Sequence, residues 1–179
     1  MKTYTDFQDI AQLNRNSFLF LDTSAIILIV SYQSLFEDTL LAFKKIGVAF
    51  TIIPSIKFEL LRTDSLENQL KRSDFMDRYC QIYPIERHLQ DFNNLISVIH
   101  KISRNSSYPD FLLYCCLYKF LNKSYLLTAN HKDFKTSILD RVSLITIDNE
   151  TEEMKSLGIY SFSSNKYEKA AKKIIKEMS

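Results

Sequence analysis

Short apolar runs recur along this chain, and longer segments with helical spacing of apolar residues separate them. The runs are Ser17–Asp22, Val48–Ile53, Gln81–Ile85, Ser124–Thr128, Val142–Ile147 and Gly158–Phe162. Short runs bounded by turn residues are typical of buried strands, with helix as the competing interpretation. Strands that alternate with helices predict an α/β domain whose central sheet is mostly parallel and has helices on both faces.

The segments between the runs predict helices. The longer ones are Ala25–Ile46, Ser55–Arg62, Leu66–Tyr79, Arg87–Ile102, Phe111–Leu121 and a basic amphipathic helix at Lys166–Met178, with shorter helices at Thr5–Asn14 and Thr151–Ser156. For the basic helix we favour a cover over the sheet with a solvated outer face, and binding of RNA or a partner is the alternative.

Composition excludes several classes of function. With two glycines, Gly47 and Gly158, the 179-residue chain contains neither a GxGxxG motif nor a Walker loop for binding phosphates. The three cysteines lack the spacing of a metal site or a disulfide framework. We expect no membrane partner, because the longest apolar run is too short to span a bilayer. Without a signal-peptide pattern, we expect a cytoplasmic location.

The first apolar run ends at an acid, Asp22, which is followed by Thr23 and Ser24. Ser24 is a plausible N-cap for the next helix, so the carboxylate is predicted at the carboxyl end of a central strand. Ligands of open α/β sheets bind at that edge. An acid is costly to bury unpaired and needs a cap, a basic residue or a cation as its partner. The alternative is that Asp22 only caps the helix.

Four acids fall near such boundaries in the predicted elements: Asp22, Glu59, Asp110 and Asp133. Carboxylates that converge on one sheet edge repel one another, and divalent cations relieve that repulsion. Oxygen ligands of this kind suit Mg²⁺ or Mn²⁺. Each acid also has an ordinary interpretation, in which Asp110 starts a helix, Glu59 faces solvent and Asp133 pairs with a neighbouring lysine.

The ordered set of motifs resembles the PIN domain, and within it the VapC-type toxin ribonucleases. The matching stretches are Phe20–Ser24, Ser55–Leu61, Asp110–Cys116 and Leu127–Phe134, within a likeness that covers about residues 17–147. The resemblance implies a Rossmann-like three-layer sandwich. It divides the chain into an N-terminal helical extension (1–16), a PIN-like nuclease domain (17–148) and a C-terminal extension (149–179).

The resemblance also implies a function, a metal-dependent endoribonuclease that hydrolyses RNA phosphodiester bonds. The residues that match the family's acids are Asp22, Glu59 and Asp110, and they imply binding of Mg²⁺ or Mn²⁺. Many relatives have Asp at the position of Asn130, an accessory residue here that would be a weaker, neutral ligand. Either Asp133 is then the fourth acid, or the second metal binds loosely. Thr128 matches a polar residue that lines the site, and Ser24 is a further accessory residue.

Partners follow from the same resemblance: an RNA substrate, an antitoxin protein of a type II toxin-antitoxin system, and a second copy in a homodimer. Lys57, Arg62 and Arg104, with Lys71 and Arg72, are candidates for contacts with flanking phosphates, and a solvated surface is the alternative for each. The alternative function is a catalytically degenerate PIN-like module that binds RNA or protein.

Overall fold

A computed structural model describes residues 2–5, 13–63, 65–103, 106–134, 136–148 and 154–178. Seven strands form one sheet: β1 (Lys2–Thr5), β2 (Phe18–Leu21), β3 (Ala49–Ile52), β4 (Gln81–Ile82), β5 (Ser124–Thr128), β6 (Leu139–Asp148) and β7 (Lys155–Phe162). The helices are α1 (Thr23–Ser31), α2 (Gln33–Lys45), α3 (Pro54–Leu61), α4 (Leu66–Tyr79), a 3-10 helix (Ile85–Phe92), α5 (Asn93–Ile102), α6 (Tyr108–Lys119) and α7 (Ser164–Met178).

The strand order across the sheet is β1-β6-β7-β5-β2-β3-β4. Strands β4, β3, β2 and β5 are parallel, whereas β7 pairs antiparallel with both β5 and β6, and β1 pairs antiparallel with β6. The α/β class predicted from the sequence is confirmed. The expectation of a mostly parallel sheet is wrong, because the sheet is mixed.

Connection length explains the antiparallel part. Only residues 149–154 separate the end of β6 from the start of β7. A parallel connection needs a crossover of about a dozen residues or more, whereas antiparallel neighbours need only a short turn. The strands predicted at Val142–Ile147 and Gly158–Phe162 lie within β6 and β7. The short connection between them was the signal for antiparallel pairing.

The terminal segments differ from the predicted extensions. Lys2–Thr5 is a strand, and the remainder of the helix predicted at Thr5–Asn14 lies largely on residues 6–12, outside the described part of the chain. Strand β7 lies between β5 and β6, so the boundary predicted at residue 148 does not separate a C-terminal extension from the domain. The helix predicted at Thr151–Ser156 is also corrected where the structure describes it, because Lys155 and Ser156 begin β7.

The helices pack in two groups. Helix α1 packs against α2, α3 and α4, while α6 packs against the 3-10 helix and α5, and α7 packs against α5. The first group follows β2 and β3, and the second lies on the crossover from β4 back to β5. These connections run in opposite directions across the sheet, so right-handed crossovers are expected to place the groups on opposite faces.

The parallel strands are apolar because side chains on both of their faces are buried. All five residues of β5 are buried, as are Leu19, Phe20 and Leu21 of β2. The segment predicted as one helix at Ala25–Ile46 is two helices, α1 and α2, bent by 119°. No single helix among the described residues is long and apolar enough to cross a membrane, although this bent pair passes the same length and composition test.

Candidate active site

Asp22 is a buried residue, 7% exposed, that lies between β2 and α1. It occupies the N-cap position of α1, but its side chain makes no capping hydrogen bond. Its Oδ2 instead accepts hydrogen bonds from Ser24 Oγ at 2.5 Å and from Thr128 Oγ1 at 2.8 Å. The helix-cap explanation for this acid is therefore wrong, and so is the prediction that Ser24 is the N-cap.

Two hydroxyl groups connect Asp22 to the loop that follows β5. Ser24 Oγ accepts a hydrogen bond from the Ala129 amide at 3.1 Å, and Thr128 Oγ1 accepts one from the Asn130 amide at 2.9 Å. Because both hydroxyls also bind Asp22, the ends of the neighbouring strands β2 and β5 are locked together. Thr128 and Ser24, the accessory residues predicted from the sequence, both contact the carboxylate of Asp22.

Glu59 is carried by α3, the helix that follows β3. It is half-buried, and its Oε2 accepts a hydrogen bond from Thr23 Oγ1 at 2.5 Å. Since Thr23 is the residue after Asp22, this bond holds the glutamate beside the start of α1. The alternative in which Glu59 simply faces solvent is therefore not supported.

Asp110 lies in the first turn of α6 and forms a capping box with Ser107. Its Oδ2 accepts hydrogen bonds from the Ser107 amide at 2.7 Å and from Ser107 Oγ at 2.8 Å. The ordinary interpretation of this acid, a helix start, is therefore correct. It does not account for the burial of Asp110, a residue that is only 7% exposed.

The environment of Asp110 opposes its ionisation. Burial is the main cause, and the negative charges of Asp22 and Asp133 add to it, so that the pKa of Asp110 rises from 3.8 to about 6 although the Ser107 hydrogen bonds act in the opposite direction. The three acids come from chain segments that are far apart in sequence. The fold thus brings Asp22 and Asp133 near enough to Asp110 for their charges to act on its carboxyl group.

Asp133 lies in the loop after β5, and its Oδ2 accepts a hydrogen bond from the Asn130 side-chain amide. Its backbone carbonyl accepts a longer bond, 3.4 Å, from Tyr114 Oη. Asn130, considered from sequence as a substitute for an acid, therefore holds Asp133 through its amide. Asn130 itself is exposed, whereas Asp133 is half-buried.

The donor set can be compared with what a divalent cation requires. Within the described ranges, no three His, Cys, Asp or Glu side chains form a group that could hold a metal ion. In Asp22 and Asp110, Oδ2 takes the hydrogen bonds that fix the carboxylate, and within the same ranges Oδ1 accepts none. Mg²⁺ is often held by one or two carboxylates while water and phosphate oxygens complete its shell. Asp22 and Asp110 each offer one carboxylate oxygen, Oδ1, as the kind of donor that such a site uses.

The basic residues predicted to bind phosphates are dispersed. Lys57 is half-buried on α3, Arg62 is exposed just after that helix, and Arg104 lies outside the described residues. Lys71 pairs with Glu67 on its own helix, and Arg72 donates to the Leu60 carbonyl at 3.1 Å. The structure therefore gives Arg72 a structural role at the end of α3.

Sequence reasoning missed the residues that hold the acids in place. Ser107 precedes Asp110 by three residues, and this spacing is a recognised capping-box signal that could have identified it. Glu86, in the 3-10 helix, accepts a hydrogen bond from the Ser55 amide at 3.4 Å and so supports the start of α3. Its sequence context carries no comparable signal.

The three cysteines are poorly suited to act as nucleophiles. Burial raises the pKa of Cys80 and of Cys115 to about 12, and it raises the pKa of Cys116 further. A thiol in such surroundings stays protonated at neutral pH and is a poor nucleophile. Cys115 and Cys116 therefore serve as small buried side chains, and Cys80 is half-buried.

Comparisons with known proteins return no relatives for this chain. It matches no protein-family model, no curated protein and no solved structure. Its functional interpretation therefore rests on the acids at the carboxyl edge of the parallel strands and on the groups that hold them.

Proposed function

We propose that this chain is a metal-dependent endoribonuclease that hydrolyses RNA phosphodiester bonds at the carboxyl edge of its parallel strands. One observation carries the proposal: Asp110 is buried where the charges of Asp22 and Asp133 help to raise its pKa to about 6. Such an arrangement costs stability unless a ligand compensates for it, and perturbed carboxyl groups of this kind cluster at functional sites.

The fold that we propose is PIN-like, a three-layer sandwich with the sheet between two helical layers. Its support is the parallel order β4-β3-β2-β5 and the separation of the helices into two packed groups. Asp22 lies at the transition from β2 to α1 and Asp110 in the first turn of α6, as the family resemblance requires, while Glu59 lies in the second half of α3, the helix that follows β3. The antiparallel strands β6 and β7 extend this arrangement on one side.

The cofactor that we propose is Mg²⁺ or Mn²⁺. When bound, such a cation makes a water molecule a better nucleophile and offsets negative charge on a phosphate. Asp22 and Asp110 would hold it through Oδ1, since Oδ2 of each is already fixed by hydrogen bonds. Asp133 and Glu59 would bind through water or orient it, each held by one neighbour, Asn130 or Thr23.

The chain's own groups contribute order and charge. The hydroxyls of Ser24 and Thr128 keep the Asp22 carboxylate in one orientation before substrate arrives, which avoids reorganisation during the reaction. Arg62, exposed after the Glu59 helix, and Lys57 on that helix are the groups proposed to bind flanking phosphates. Tyr108, 56% exposed and two residues before Asp110, offers a ring on which an unpaired base can stack.

The biological role that we propose is that of a cytoplasmic toxin that pairs with an antitoxin protein and forms a homodimer. This role rests on the family resemblance of the sequence. The reaction itself is argued from the acids, so the two parts of the proposal can be tested separately.

Titration calorimetry with Mn²⁺ tests the site directly. The wild type is expected to bind, and the double variant Asp22→Asn with Asp110→Asn is expected not to bind. The control is Asp91→Asn, which removes an exposed acid from the 3-10 helix and should leave binding unchanged. Cleavage of a labelled single-stranded RNA should follow the same order, and cleavage by the double variant at the wild-type rate would overturn the proposal.

A second candidate function is the catalytically degenerate binding module. The observation that favours it is the lack, among the described residues, of any group of three acids able to hold a metal. It predicts that the wild type binds no Mn²⁺ at this edge of the sheet and that no RNA cleavage occurs. The calorimetric titration therefore separates the two candidates in one experiment.

A further inference from the structure

His131 follows Asn130 in the loop after β5, and both of its ring nitrogens are engaged. Nδ1 is 2.9 Å from Tyr160 Oη, and Nε2 is 3.0 Å from Ser156 Oγ. A hydroxyl can donate or accept, so the two partners satisfy either tautomer of the ring. With both nitrogens engaged, the imidazole has no free ring nitrogen to offer a phosphate.

Strand β7 is shaped to receive this ring. Ser156, Gly158 and Tyr160 alternate along the strand, so their side chains share one face of the sheet. A Cβ atom at Gly158 would lie 2.9 Å from both Cε1 and Nδ1 of His131 and 2.5 Å from Tyr160 Cε2. The imidazole therefore occupies the space that the absent side chain leaves, and only glycine fits there without displacing it.

The rest of the loop is attached to other elements. Ser24 and Thr128 bind the amides of Ala129 and Asn130 at its start. At its end, Phe134 is buried and packs against Tyr114, with ring centroids 5.5 Å apart. The two hydrogen bonds of His131 join this loop to β7.

We propose that His131 is a positioning residue that docks the loop onto β7 and thereby sets the position of Asp133 relative to Asp22 and Asp110. This inference rests on the proposed metal site. The groups on β7 that receive the loop are Ser156, Gly158 and Tyr160. Asp133 is two residues from His131 and is tied to Asn130, the residue directly before it. A shift of the imidazole therefore moves both ends of that hydrogen bond.

Residues that orient a metal-binding side chain without touching the metal affect how tightly the metal binds. Partners that orient metal-binding side chains typically change metal affinity by about 10-fold to 100-fold when they are removed. A residue with only a packing role would change the stability of the fold and leave the Mn²⁺ affinity of the folded protein unchanged. The ratio of the two effects therefore distinguishes positioning from packing.

The experiment measures the dissociation constant for Mn²⁺ by calorimetry and the unfolding midpoint by circular dichroism on the full chain. His131→Phe removes both hydrogen bonds, and Gly158→Ala displaces the ring without changing it. Tyr160→Phe and Ser156→Ala each remove one bond and keep the shape of the site. The matched control is Ser161→Ala, a half-buried serine on the same strand that pairs with Asp140 away from the loop.

We expect His131→Phe and Gly158→Ala to raise the dissociation constant for Mn²⁺ about 10-fold. The single-bond variants should raise it less, His131→Gln should recover part of the loss, and Ser161→Ala should match the wild type. Unchanged affinity in folded Tyr160→Phe, Ser156→Ala and Gly158→Ala, with a wild type that binds, would overturn the role of His131 alone. A wild type that binds no Mn²⁺ would overturn the metal site and this inference together.

Discussion

The parallel and antiparallel halves of the sheet use their strands differently. In the parallel half, β2 and β5 stop at polar residues, Asp22 and Thr128, which bind each other across the strand ends. In the antiparallel half, β7 continues past the same level, and its residues Leu157 and Ile159 are buried in the core. The candidate catalytic groups therefore lie at the ends of β2 and β5, whereas β7 extends beyond that level and contributes buried apolar residues.

This difference separates two kinds of residue. Acids at the ends of the parallel strands are buried at a cost, since burial and like charges raise the pKa of Asp110. Apolar residues of β7 stabilise the fold through burial without any such cost. Substitution of the acids should therefore change RNA cleavage, whereas substitution of the buried apolar residues of β7 should change the free energy of unfolding.

The largest effect is expected from Asp110→Asn. Loss of this carboxylate removes one of the two groups proposed to hold the cation, and RNA cleavage should fall by about 1,000-fold. The amide oxygen of Asn can still accept from Ser107, so the unfolding midpoint should not fall. Cleavage of a labelled RNA and a thermal melt on the same preparation measure both quantities. A variant that loses stability and activity in parallel would place Asp110 with the structural residues.

Ile159→Ala tests the antiparallel half. Ile159 is fully buried, and truncation of such a side chain should lower the free energy of unfolding by roughly 3 kcal/mol. The cleavage rate per folded molecule should stay near that of the wild type. Urea unfolding gives the first value and cleavage at low temperature gives the second. A large fall in the cleavage rate of the folded variant would contradict the division between the halves.

Thr128→Val tests the link between the strand ends. Removal of the hydroxyl leaves the Asn130 amide and one lone pair of Asp22 without this partner, and we expect cleavage to fall about 10-fold. The control is Thr51→Val at the end of β3, where the buried hydroxyl bonds the Ala49 carbonyl instead. Both variants should lose stability to a similar extent, so only the activity should distinguish them.

The raised pKa of Asp110 gives a dependence of stability on pH. The folded protein favours the protonated carboxyl, because its pKa of about 6 lies above the ordinary value of 3.8. This contribution is fully present below pH 3.8 and is lost as the pH rises through 6. We therefore compare the free energies of unfolding of Asp110→Asn and the wild type in buffer with a chelator. The difference should shift in favour of the variant by about 1 kcal/mol between pH 4 and pH 7, a value reduced for screening by water.

Mn²⁺ should reverse that difference. A cation at the site stabilises the ionised carboxylate, so it should raise the unfolding midpoint of the wild type at pH 7 and raise it less at pH 5. Asp110→Asn should show little response at either pH. An equal rise in both proteins would show that the cation binds elsewhere.

Much of the parallel half could be predicted from the sequence. Ser124–Thr128 is a strand with the bounds expected, and Asp22 follows β2 as the apolar run indicates. Periodicity reports burial on each strand, and in parallel strands burial on both faces leaves a continuous apolar run. The same signal gives no strand direction, so the antiparallel pairing of β7 could be inferred only from the short connection before it.

Of the candidate site, the acids could be selected from the sequence, whereas most of the contacts that hold them could not. Asp22 and Asp110 stand out because each borders an apolar segment, and Asp133 because it follows the apolar run at Ser124–Thr128. The contacts of His131 with Ser156 and Tyr160 join residues 25 to 29 positions apart, and they depend on the register of β7 against β5. No local pattern encodes that register, which depends on how the folded strands pair.

The smallest effect is expected from the basic residues that lie beyond the ends of the parallel strands. Arg62 is exposed just beyond the helix that carries Glu59, whereas Lys71 lies on the next helix and pairs with Glu67, whose pKa it lowers. We expect Arg62→Ala to weaken RNA binding about 3-fold and to reduce the salt dependence of binding by about one phosphate contact. Lys71→Ala should change neither, because an exposed pair within one helix contributes little. Fluorescence anisotropy with a labelled RNA at several salt concentrations measures both slopes. Equal slopes for the two variants would confine the RNA contacts to the acids and the loop after β5.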